Sequence, residues 1–165
     1  MKIVNRQIME AVKKEYPEQT DDCYLKLVAL AEHLDIGVDD ITLVDINQEE
    51  TEFHLYKEEY LVCDDFEADE ICSKEIQQGV WAFNTDFLVG FMPRFISEKM
   101  VDACKEQCED SNEDILQLID AGEGIDKFVE TAIGYEGRGH YLDLYSGNEV
   151  EITVSDKTFY IYRLL

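Results

Sequence analysis

Between Gly134 and Gly147 the chain reads Gly-Tyr-Glu-Gly-Arg-Gly-His-Tyr-Leu-Asp-Leu-Tyr-Ser-Gly, holding four of its nine glycines, one of four arginines and one of three histidines. These residue types can do chemistry. His140 can act as a general base with Glu136 or Asp143 to orient it, and Arg138 can hold an anion, which together make a minimal hydrolase or phosphotransfer set. Two things weigh against it. A lone Gly-x-Gly without a preceding strand and a following helix is no phosphate-binding fingerprint, and nothing elsewhere in the chain supplies an obvious nucleophile. The structural reading is the stronger: glycines allowing positive φ in an extended turn, Arg138 paired with surface carboxylates, and Tyr141, Leu142 and Leu144 pinning the segment to the core. No catalytic residue is assigned.

Charge offers a second chemistry. The chain of 165 residues has 38 Asp and Glu against 14 Lys and Arg, net −24, and the imbalance is segregated. Residues 32–75 carry sixteen acids and two bases, residues 98–130 eleven acids and three bases, and residues 1–31 and 76–97 are neutral. A field of this sign disfavours direct contact with nucleic acid or an anionic membrane and suits a cationic partner. Glu49, Glu50, Glu52, Glu58, Glu59, Asp64, Asp65, Glu67, Asp69 and Glu70 are the expected partner-binding set. They present carboxylates in a field resembling a phosphate backbone, as a competitor for a basic nucleic-acid-binding cleft would. On this reading, reversing Asp64, Asp65, Asp69 and Glu70 to Lys removes binding and leaves thermal stability equal or higher. The plain alternative is a solvated acidic surface that maintains solubility; salt adaptation fits ten lysines, four arginines and fourteen isoleucines poorly.

Neither metal nor cofactor is expected. Asp65, Glu67 and Asp69 have the 1-3-5 spacing of a calcium loop, but Glu70 stands where glycine is needed and Ile76 where glutamate is needed. The run reads instead as a helix start. Cys23, Cys63, Cys72, Cys104 and Cys108 contain no Cys-x-x-Cys, and Cys104 and Cys108, four apart beside Met100 and Val101, read as core. An odd cysteine count without a signal peptide suits a reducing cytoplasm.

The elements that position these residues follow from periodicity. Helices are expected over 3–16, over Asp21 or Asp22 to Asp35, from Asp64 or Asp65 to near Asn84, after Ser97, after Ser111 as a capping box, and over 125–133. The apolar stretch 86–93 stays unassigned. Period-two runs place strands near 41–46, 51–56, 60–63, 149–154 and 158–163, with Lys57-Glu58-Glu59 as a turn. A lone hairpin is marginal, so the last two strands should join the first three. The fold class is α+β: a small antiparallel sheet packed against about five or six helices in one domain over 1–165.

From Tyr60 onward the order of motifs is familiar. Glu59-Tyr60-Leu61-Val62, Trp81-Ala82-Phe83-Asn84, Gly137-Arg138-Gly139-His140-Tyr141-Leu142 and Tyr160-Ile161-Tyr162-Arg163 resemble a group of bacteriophage-type proteins of no established activity. The resemblance covers roughly 56–165, leaves 1–55 as a variable N-terminal portion, and implies a phage-like context in the cytoplasm of a bacterial host. Charge and resemblance together lead to an acidic, DNA-mimicking inhibitor of a host nucleic-acid-binding protein, such as a restriction or CRISPR effector. A small enzyme using His140 and a phage accessory or assembly protein are the alternatives.

Overall fold

In the computed structural model, which describes residues 20–46, 51–55 and 57–165, the closing hairpin joins the sheet through its second strand. The strands are β1 (Thr42–Ile46), β2 (Thr51–Leu55), β3 (Glu58–Cys63), β4 (Val150–Val154) and β5 (Lys157–Arg163), in the order β1-β2-β3-β5-β4, every neighbouring pair antiparallel. The helix expected over 3–16 lies outside the described residues, as do Glu49 and Glu50.

Contacts divide the chain into two compact units, Met1–Ile71 with Arg138–Leu165, and Cys72–Gly137. The division falls inside α2 (Asp65–Gln78), where composition shows no linker.

In the sheet unit, alternation decides which side chains meet. Phe53, Tyr60, Val62, Phe159 and Ile161 form one face and are buried with Cys23, Leu27 and Leu30 of α1 (Thr20–His33). Leu61, Cys63 and Tyr162 point to the opposite face and are also buried. The short helix α7 (Arg138–Leu142) lies against β5. Burial pushes the Cys23 thiol up to about 11 and Cys63 higher still, so neither is an active nucleophile.

The second unit is helical: the last turns of α2, then α3 (Thr85–Val89), α4 (Glu98–Lys105), α5 (Asn112–Asp120) and α6 (Ile125–Glu136), with 3₁₀ turns at Val80–Ala82 and Cys108–Ser111. Its core centres on Phe128, whose ring lies 5.2 Å from Phe83, 5.4 Å from Phe91 and 5.8 Å from Phe87. Close packing of the chain explains Gly122. A Cβ there would lie 2.1 Å from the Phe91 carbonyl oxygen.

Seven α-helices are present among the described residues, where five or six were expected. The additions are α3, from the unassigned apolar stretch, and α7, which replaces the middle of the expected glycine turn. α2 stops at Gln78, short of Asn84, because Gly79 follows and the chain tightens into 3₁₀. The capping box expected at Ser111 does not form. Its hydroxyl donates instead to the Cys108 carbonyl at 2.6 Å. Cys104 and Cys108 are not core either: α4 ends at Lys105, and Cys108, at φ +52°, is exposed.

Candidate functional site

Arg138 joins the two stretches that the sequence presented as separate sites. Gly137, at φ +78°, ends α6 and lets the chain start again as α7, with Arg138 as its first residue. Its guanidinium donates to both oxygens of Glu149 (2.8 and 3.2 Å), to Asp65 Oδ1 (2.9 Å) and to Asp69 Oδ1 (3.0 Å), and lies 4.3 Å from the centre of the Tyr160 ring. Tyr162 donates its hydroxyl to Glu149 as well. Burial works against the charge on Arg138, but the bonds to Glu149 and Asp65 outweigh it and raise the guanidinium above its usual range. Gly139 is needed beside it because the backbone of residues 147–149 passes against α7: a Cβ would lie 2.6 Å from the Asn148 carbonyl carbon. The arrangement stitches α2 to α7 and β5.

Arg138→Met should lower stability by about 2 kcal/mol, with part of the loss recovered in high salt as repulsion among the three carboxylates is screened. The Asp65 and Asp69 side chains are 74% and 60% exposed, so most of that loss belongs to Glu149. Urea denaturation at two ionic strengths measures it; a variant as stable as the parent would remove the hub from the account.

The expected partner-binding set is largely occupied by internal cations and amides. Asp64 accepts from the Glu67 N–H at 2.9 Å while Glu67 accepts from the Asp64 N–H at 2.7 Å, a reciprocal cap of α2. Glu67 also pairs with buried Lys26 at 2.6 Å. Glu58 accepts from Tyr60 and Arg163. Glu52, Glu59 and Glu70 are partly buried. The expectation that reversing Asp64, Asp65, Asp69 and Glu70 leaves thermal stability equal or higher is therefore corrected: it removes a helix cap and two partners of Arg138.

Asp143, one of the two carboxylates expected to orient His140, is committed to donors of the turn that follows it and of β5. Asp143 is buried, and its Oδ1 accepts from the N–H groups of Tyr145, Ser146 and Gly147 and from the Ser146 hydroxyl, while Oδ2 accepts from the Arg163 N–H. His140 is exposed and meets Tyr141 edge to face. Among the described residues no three His, Cys, Asp or Glu side chains gather as metal ligands do, and no helix is long and apolar enough to cross a membrane.

The helical unit displays its charge differently. Residues 72–137 contain fourteen acids and five bases, net −9, and all fourteen acids are exposed. Glu98 and Asp102 in α4 and Glu106 at its C-cap recur every four residues, about 6 Å apart along the helix axis. Like charges at this spacing destabilise a helix. The excess at 98–130 is countable in the sequence, where the 32–75 block outweighs it; which block finds internal cations depends on tertiary structure. The unit also holds a groove of about 630 Å³ lined by Glu75, Gln78, Trp81, Glu109, Asn112 and Leu116 among others. No family model, curated protein or solved structure matches the chain.

Proposed function

We propose that the protein is an acidic, phage-type inhibitor. In this reading it works in the cytoplasm of a bacterial host by occupying the basic surface of a nucleic-acid-binding protein such as a restriction or CRISPR effector. The observation that carries the reading is the sign of the exposed charge: among the described residues 23 acids are exposed against six bases. Nine net charges are what duplex DNA carries over roughly 15 Å of its axis, so the helical unit alone offers a basic cleft the charge of a short duplex. The motifs from Tyr60 to Arg163 add the resemblance to phage-type proteins. Compared with the set expected from sequence, the surface moves toward residues 98–130, whose eleven acids are all exposed.

Charge reversal tests it. Glu106, Asp120 and Glu130 are exposed and hold no ion pair or side-chain hydrogen bond among the described residues. Changing all three to Lys takes the helical unit from −9 to −3, each reversal adding two charges. Capture of nucleic-acid-binding proteins from a bacterial lysate should fall about tenfold or more, with the unfolding midpoint equal or higher. Undiminished capture by the reversed protein would overturn the reading.

A further inference from the structure

We propose that the groove beside Trp81 seats an arginine side chain of the basic partner, an inference that rests on the proposed function and names the contact within it. Three independent features select a cation. Glu75 and Glu109 line the groove, and no Lys or Arg does. The last turn of α2, which forms one wall, carries no basic residue, so the negative end of its dipole meets no cationic side chain of its own. Trp81, half-buried, supplies the ring on which a cation is held best.

Guanidinium fits better than ammonium. It is planar, stacks on an indole and engages carboxylates with two parallel N–H donors, whereas ammonium is a compact and strongly hydrated charge. Leu116 provides apolar surface for the methylene stem. The walls are held in place beforehand: Asn112 accepts from the Trp81 backbone N–H at 3.0 Å and donates its side-chain amide to the Gln78 carbonyl, tying the start of α5 to the end of α2. A pocket already in its binding shape loses less entropy on binding.

Trp81 is the one tryptophan of the chain, so its fluorescence reports on the groove directly. The probe is a labelled hexa-arginine peptide, its total binding followed by anisotropy and its contact with the groove by Trp81 emission. Glu75→Gln with Glu109→Gln should weaken binding about tenfold, whereas Asp126→Asn with Glu130→Gln, removing two exposed charges from α6, should weaken it only about twofold. Saturable emission change together with that difference supports the seat. Binding without a change in Trp81 emission, or equal weakening by the two variants, overturns the groove and leaves the charge reading standing. Hexa-lysine binding as tightly overturns the choice of guanidinium. No binding of either peptide at low salt overturns the charge reading itself.

Discussion

Asp143→Ala should cost about 3 kcal/mol of stability, because it leaves four backbone N–H groups and one hydroxyl without their shared acceptor. The carboxylate is buried between the end of α7 and β5, and its hydrogen bonds close the turn at 143–147 onto Arg163. Burial raises its pKa, but the donors from Arg163, Ser146 and Gly147 outweigh that effect and hold the carboxyl below its usual range. The sign follows from linkage. A carboxyl lowered in the folded state contributes stability above its unfolded value of about 3.9 and loses it as pH falls through the folded value. Wild-type protein should therefore lose stability more steeply than Asp143→Asn below about pH 4. Urea midpoints across that range decide it; parallel profiles would mean that Asp143 is not the ionised acceptor.

Glu67→Ala should cost a similar amount, about 3 kcal/mol, by removing two different interactions at once. Lys26 is 2% exposed, and among the described residues Glu67 is the nearest carboxylate to its ammonium, at 2.6 Å against 3.5 Å for Asp22. Loss of Glu67 leaves that buried charge with Asp22 and the Thr51 hydroxyl among the described residues. The same substitution frees the Asp64 N–H at the start of α2. Glu67→Gln keeps a hydrogen-bonding group at the cap and should recover about one third of the loss. Chemical denaturation of the two variants separates the parts. Equal stability of Glu67→Ala and wild type would show that Lys26 finds its compensation elsewhere.

These two carboxylates show what was legible in the sequence. Glu67 was readable as a helix start, since a helix cap depends on residues three apart, and Asp64 with Glu67 forms it. Its pairing with Lys26, 41 residues away, was not readable, because nothing local marks it. The strands were legible for the same local reason: the period-two runs near 149–154 and 158–163 form a hairpin that needed a partner, and its second strand found one in β3 through Leu61, Val62 and Cys63. The Gly134 to Gly147 stretch misled in the opposite direction. Glycine at 139 argues against helix by propensity, yet α7 forms because Arg138 is tied to three carboxylates and Leu142 is buried, both consequences of tertiary contact. The charge excess was a matter of counting. Which half of it stays displayed was decided by where the few cations fold to, and Lys26, Arg138 and Arg163 all fold against the sheet unit.

The central claim is that exposed carboxylates compete with nucleic acid for a basic surface. Displacement by duplex DNA tests it most directly. With the immobilised protein loaded from a bacterial lysate at about 50 mM salt, retained nucleic-acid-binding proteins should be released by added duplex DNA, and also by raising salt to about 200 mM. Retention indifferent to both would contradict the account.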